Sequence, residues 1–220
     1  MEAHDDDAPL APERMMALIE AQQRTVAART AAFVPWILAA WGIAWLAGFL
    51  VLWADAETHP HEWRPSLTAG LIFAGLLVVA GVLSSVLGAR SGRGLRGTRE
   101  ASIVGIAYGN TWWIGSVALV GMGQSLLRFG MPEELLTVFY PSAFIFFSGI
   151  MYMMGGLIWQ ARPMMVLGIW CVILSALGAM LVPPMNYVAY GLAGGGAFLL
   201  VAGWSAWWVR SSRRRLSSAG

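Results

Sequence analysis

Four arginines recur at every third position of the segment GARSGRGLRGTRE (88–100): Arg90, Arg93, Arg96 and Arg99. Arginines at this spacing carry the charge of voltage-sensing helices, and guanidinium groups also bind phosphate. A voltage-sensing helix needs apolar spacers, but three of the six spacers here are glycine, each disfavouring a helix by about 1 kcal/mol. The segment therefore predicts a flexible cytoplasmic loop that contacts anionic lipid headgroups. A specific phosphate or nucleotide site stays open as the alternative, although neither glycine-rich phosphate-loop pattern is present.

Neutral polar residues form a second candidate group inside an uncharged apolar stretch. Asn110 and Gln124 lie 14 residues apart, which places them within about 40° of each other on one face of a helix. Thr111 and Tyr108 could add hydroxyl groups to the same region. Two interpretations stay open: the amides bond to neighbouring helices, each such bond contributing about 0.6 kcal/mol on average, or they line a polar pathway.

Chemistry that could bind a metal is confined to the segment DAETHPHEW. It holds five potential ligands: Asp55, Glu57, His59, His61 and Glu62. The helical spacing of a zinc hydrolase is missing, so the segment predicts a solvated loop, with a weak surface metal site as the alternative. The single cysteine, Cys171, excludes an internal disulfide. We expect no cofactor, no metal and no catalytic group, and therefore no enzyme.

The composition places these groups in a membrane protein. Hydrophobic residues make up 58% of the 220 residues and charged residues 12%, about half the charge of a soluble domain. Six uncharged runs are long enough to cross about 30 Å of hydrocarbon. They span residues 33–53, 67–88, 101–127, 135–159, 163–182 and 187–209. Because no run contains Asp, Glu, His, Lys or Arg, proton coupling through an intramembrane carboxylate is disfavoured.

The arginines also predict how the chain is threaded. Twelve of the 14 lie before the first run, after the last, or in the second and fourth connections, and Arg64 and Arg128 lie in the others. Basic segments stay in the cytoplasm. The predicted fold is therefore all-α: a polytopic membrane helix bundle of six transmembrane helices with both termini inside. The predicted location is the bacterial cytoplasmic (inner or plasma) membrane.

Four segments organise the chain. Residues 1–11 contain three consecutive aspartates and predict a disordered acidic N-terminus, and residues 12–31 predict an amphipathic helix on the cytoplasmic membrane surface. Residues 32–209 form the transmembrane domain, and 210–220 form a basic cytoplasmic tail. The net charge of +2 is too small to indicate nucleic acid as a partner.

Several short patterns recur along this layout: VPW…AWG…AWL in the first run, YG…W in the third, YP in the fourth and PP…Y before the glycine-rich sixth. With the arginine-rich second connection, they give a chain that resembles small six-span bacterial integral membrane proteins, often labelled only "membrane protein" or "transporter". The resemblance carries over no site residue. Two functions follow as hypotheses: a transport-related small permease or channel-like unit, or a non-transporting accessory or scaffold subunit. Anionic lipids, a second copy or another membrane subunit are the expected partners.

Overall fold

A computed structural model describes residues 12, 14–16, 33–59, 62, 64–91 and 99–217. Nearly all of these residues are helical, and one short 3₁₀ turn, Glu133–Leu135, precedes the fourth long helix. The long helices are α1 (Val34–Thr58), α2 (Leu67–Ser91), α3 (Arg99–Arg128), α4 (Leu136–Ile158), α5 (Arg162–Ala179) and α6. The last, α6, has three parts: Met185–Ala189, a π-helical segment Tyr190–Gly195, and Gly196–Ser217.

Within the described residues, these six helices are long and apolar enough to cross a membrane, which agrees with the six predicted runs and confirms the all-α class. Several helices extend past the predicted runs, because an apolar run marks the part of a helix in hydrocarbon and not its hydrogen-bonded ends. Thus α1 continues to Thr58 and carries Asp55 and Glu57 on its final turns, and α6 continues into the predicted basic tail. The direction of insertion stays a prediction.

The arginine-rich connection is shorter than predicted. Arg90 lies in the last turn of α2 and Arg99 begins α3, both with exposed side chains. Arg93 and Arg96 lie outside the described residues. Of the predicted surface helix, Pro12 and residues 14–16 are described as helical, and its remaining residues and the acidic segment 1–11 lie outside the described part.

Four helices, α1, α4, α5 and α6, form the centre of the bundle, and we call them the four-helix core. Their buried side chains meet in one cluster, which includes Trp45, Ile145, Leu167, Tyr190 and Phe198. The closest helix pair is α4 with α5, where glycines let the backbones touch. A Cβ atom added at Gly168 would lie 2.6 Å from the backbone nitrogen of Met153.

Helices α2 and α3 lie outside this core. Helix α2 packs mainly on α1, and α3 packs mainly on α4. Consecutive antiparallel helices place their connections at alternate ends of the bundle. We call the end with residues 55–59, 64–66, 128–135 and 180–185 the acidic end. The opposite end, with Arg90, Arg99 and Arg162, is the basic end.

Candidate functional site

A cavity of about 530 Å³ opens at the acidic end between α1, α4 and the start of α6. Its volume falls in the range of small-molecule sites. Leu52, Val138 and Tyr187 form apolar parts of its lining. Charged side chains also line it: Glu57, Glu62, Arg64 and Glu134. The cavity therefore combines an apolar, aromatic wall with a charged mouth.

The charge at this mouth is negative. Arg64 forms an ion pair with Glu133 on the rim, so its charge is already balanced. Within the described residues, no ion pair engages Glu57, Glu62 or Glu134. Three carboxylates around one partly enclosed space favour a cation over an anion or a neutral solute.

Beneath the cavity, a proline in α4 creates a polar contact between helices. Pro141 has no backbone N–H, so the carbonyl of Thr137, four residues earlier, loses its usual helical partner. The side chain of Asn186, fully buried on α6, donates a hydrogen bond to this carbonyl at 3.0 Å. Its amide oxygen accepts from the backbone N–H of Tyr187 at 3.0 Å. Asn186 thereby replaces the bond that Pro141 removes.

One turn further into the bundle, a hydroxyl cluster continues this polar contact. The Tyr190 and Ser142 hydroxyl oxygens lie 2.7 Å apart, and the Tyr190 hydroxyl also donates to the Ser175 carbonyl at 3.5 Å. Tyr190 begins the π-helical segment of α6, a departure from α-helix that is frequent at functional sites. We call Thr137, Asn186, Tyr190, Ser142 and Ser175 the polar file.

Aromatic rings close the bundle beyond the polar file, towards the basic end. The ring centroids of Trp45 and Phe198 lie 5.1 Å apart, and those of Tyr152 and Phe198 lie 5.3 Å apart. Phe49 contacts both Trp45 and Tyr190, at centroid distances of 6.0 and 5.6 Å. We call Trp45, Phe49, Tyr152 and Phe198 the aromatic barrier. The polar file therefore begins at the cavity with Thr137, continues through the buried Asn186 and Tyr190, and ends at the aromatic barrier.

The polar pathway residues predicted on α3 do not meet in one cavity. Tyr108 donates to the Met151 carbonyl at 3.0 Å, and Thr111 donates to the Ala107 carbonyl of its own helix at 2.9 Å. Both line a shallow groove of about 200 Å³ between α3 and α4. Asn110 lies on the exposed surface of α3. Gln124 is also exposed and donates to the Tyr140 hydroxyl at 3.2 Å, so it bonds to a neighbouring helix.

The sequence patterns predicted none of the hydrogen bonds that join the residues of the polar file. Two signals did point towards it, since Pro141 inside an apolar run and the glycine-rich YGLAGGG stretch mark the places where helical hydrogen bonding changes. What was missing was the pairing of α4 with α6, because Thr137 and Asn186 are 49 residues apart in the chain.

In the segment with potential metal ligands, Asp55 has a structural role. Asp55 accepts hydrogen bonds from the backbone N–H of Ser66 at 2.7 Å and from its hydroxyl, which fixes the connection between α1 and α2. Among the residues that the structure describes, no three His, Cys, Asp or Glu side chains come together to hold a metal ion. His61 lies outside that part of the chain.

Comparisons of the chain with family models, curated proteins and solved structures found no match.

Proposed function

We propose that this integral membrane protein is transport-related: a small permease-like unit that accepts a small organic cation in the cavity at the acidic end. One observation carries the proposal. A cavity lined by three carboxylates without an ion pair in the described part of the chain shares Thr137 with a buried polar file. This file lies where two helices, α4 and α6, depart from regular α-helical bonding.

The lining favours an organic cation over a bare metal ion. Tyr187 and Leu52, both largely buried, line the cavity together with the carboxylates. Aromatic faces attract cations that carry little hydration, such as quaternary ammonium or guanidinium groups. Carboxylates at the mouth would raise the local cation concentration, and the apolar wall would cover the alkyl groups of the solute.

The irregular helices support the transport part of the proposal. Non-helical backbone at membrane depth is tolerated where protein or a cavity covers it, and transporters place solute sites at such breaks. The break at Pro141 faces the start of α6, next to the π-helical segment Tyr190–Gly195. A solute that reached the polar file would pass the aromatic barrier only if α4 and α6 moved relative to each other, as in alternating access.

Binding of choline and tetraethylammonium by the purified protein in lipid nanodiscs tests the site. We expect saturable binding that sodium benzoate does not compete. Each partly exposed carboxylate contributes about 0.5–1 kcal/mol, so the combined change of Glu57, Glu62 and Glu134 to Gln should weaken binding roughly ten- to a hundredfold. Glu100→Gln removes one negative charge at the basic end and should leave binding unchanged, whereas each single change of Glu57, Glu62 or Glu134 to Gln should weaken it.

Flux into proteoliposomes separates transport from binding alone. Uptake that is abolished by the three Glu→Gln changes supports a permease. Binding without flux would instead favour the accessory or scaffold function, which has one observation on its side: the tight closure of the bundle by the aromatic barrier. Absence of both binding and flux for all organic cations tested would refute the cation site.

The proposed topology decides from which side the solute enters. In a Cys171→Ser background, a cysteine at exposed Phe129 should react with an impermeant thiol reagent added outside the cell. A cysteine at Glu100, at the other end of α3, should react only after the membrane is opened. The reverse pattern would place the cavity on the cytoplasmic side.

A further inference from the structure

The surface of α3 that faces away from the bundle is unusual for a helix in contact with lipid. α3 is the least hydrophobic of the six spans, and α2 is the most hydrophobic. Across 99–128, where every residue is described, Gly123 alone is buried. The two outer helices therefore differ: α2 is the more apolar, as suits a helix surrounded by lipid, and α3 carries the amides Asn110 and Gln124.

The contacts with α4 establish which face of α3 looks inward. A Cβ atom added at Gly123 would lie 2.6 Å from the Tyr140 ring of α4, and Tyr108 bonds to Met151 of the same helix. Asn110 lies two positions after Tyr108, about 200° further round the helix. Its side chain therefore projects on the side opposite to α4.

A heptad pattern runs along this outward side. Ile103, Asn110 and Val117 follow one another at intervals of seven residues, which keeps them on one face to within about 20° per step. Gln124, one step further, has turned far enough to bond to Tyr140 of α4. Ile103 and Val117 are 57% and 70% exposed, so no described part of the chain covers them. We call this surface the outer face of α3. Apolar residues at seven-residue intervals are the pattern of two helices that pack side by side.

Asn110 supplies the second, independent observation. Gln124, two heptads later, is satisfied by Tyr140. Asn110 has no hydrogen-bond partner among the residues that the structure describes. It lies roughly 17 Å along α3 from Arg99, within the hydrocarbon, where an unsatisfied amide is costly.

We propose that the outer face of α3 binds the same face of a second copy of this chain. An amide carries both a donor and an acceptor, so two Asn110 side chains related by a two-fold axis can satisfy each other. Copies inserted in the same direction place their α3 helices parallel and in register, the arrangement that a buried asparagine in a heptad seam specifies. The inference does not depend on the cation site.

Cysteine cross-linking of the full chain in native membranes tests the contact. In a Cys171→Ser background, Val117→Cys should form disulfide-linked dimers on oxidation, as should Ile103→Cys. Val78→Cys is a matched control, since Val78 on α2 is 63% exposed but lies on the helix with the composition for lipid. Equal cross-linking at Val117 and Val78 would overturn the proposal, and so would cross-linking of Val117 only to a different protein.

Asn110 itself is tested by the dimer dissociation constant in lipid vesicles, measured by energy transfer between labelled copies. Membrane hydrogen bonds contribute about 0.6 kcal/mol on average and up to about 1.7, so Asn110→Leu should raise the constant roughly three- to twentyfold. Asn110→Gln should restore part of the affinity. Because the Asn110 side chain is exposed on the monomer, both variants should fold. An unchanged constant for Asn110→Leu would overturn the role of the amide.

Discussion

The four-helix core and the two outer helices use the same residue types for different purposes. In the core, a Cβ atom added at Gly195 would lie 2.6 Å from the backbone nitrogen of Leu46, so this glycine is required for the approach of α1 and α6. On α2, the same addition at Gly70, Gly75 or Gly81 would meet nothing within 4 Å. Glycine content therefore does not reveal which membrane helices pack closely, and the neighbouring helix decides it.

The two asparagines Asn186 and Asn110 also differ between the core and an outer helix. Asn186 in the core is fully buried and satisfies a backbone carbonyl that Pro141 leaves without its partner. Asn110 on α3 is exposed and has no such role among the described residues of one chain. The same side chain therefore stabilises the fold at one position and is available for association between chains at the other.

The largest expected effect is on a core glycine. Gly168→Val should destabilise the protein by about 3 kcal/mol or more, since the new Cβ atom would lie 2.6 Å from the Met153 backbone nitrogen and 2.7 Å from the Gly149 carbonyl oxygen. Unfolding in mixed micelles measures it. The matched change Gly75→Val on α2 should stay within about 0.5 kcal/mol of the parent protein. Equal losses for the two variants would break the distinction between the core and the outer helices.

A smaller effect is expected at the proline-linked amide. Asn186→Ala should cost about 1–3 kcal/mol, because it leaves the Thr137 carbonyl buried without a donor. The same change should cost less in a Pro141→Ala background, since alanine brings back the backbone N–H that can bond to the Thr137 carbonyl. A double-mutant cycle measures this coupling. Asn110→Ala is the control and should not lower the stability of the monomer. Strict additivity of the two core changes would show that Asn186 does not compensate for Pro141.

The smallest effect is expected from a single arginine of the connection between α2 and α3. Each basic residue near an anionic surface contributes about 1 kcal/mol, so Arg93→Gln alone should hardly change insertion or stability in anionic vesicles. Replacing Arg90, Arg93, Arg96 and Arg99 together should lower both, and lysine at all four positions should restore most of the effect. A single Arg→Lys change that abolished function without affecting insertion would indicate a specific phosphate site, since lysine cannot reproduce the two-pronged contact of arginine.

The small-residue spacing in the sequence shows how far such patterns can be read. Ala44 and Gly48 on α1 and Gly191 and Gly195 on α6 are four residues apart and buried between helices, the arrangement that such spacing favours in membranes. Gly105 and Gly109 on α3 have the same spacing, but an added Cβ atom at either would meet nothing within 4 Å. The spacing permits close packing, but whether a neighbour occupies that face depends on the order of helices around the bundle.

For the candidate site too, the sequence indicated some features, and the packing of the helices decided the others. The proline in α4 and the glycine-rich stretch of α6 were visible in the sequence as places where helical bonding changes. The polar pathway was predicted from residues on one face of α3, Asn110 and Gln124 among them, but the sequence does not show which face of a helix packs on its neighbours. In the structure, Asn110 lies on the side of α3 away from α4, Gln124 bonds to Tyr140 of α4, and the larger cavity lies between α1, α4 and α6.

By itself, the sequence determined the all-α class and the six helices long and apolar enough to span a membrane. The bilayer requires about 20 apolar residues for each crossing and requires backbone groups to be bonded within the protein, which a helix does almost entirely on its own. These are local requirements, so local composition satisfies or fails them. Only the tertiary structure decided which helices form the core and where the cavity lies. Contacts such as Asn186 with Thr137 join residues 49 positions apart, and lipid and protein interiors are equally apolar, so hydropathy does not distinguish a face that packs on protein from one that faces lipid.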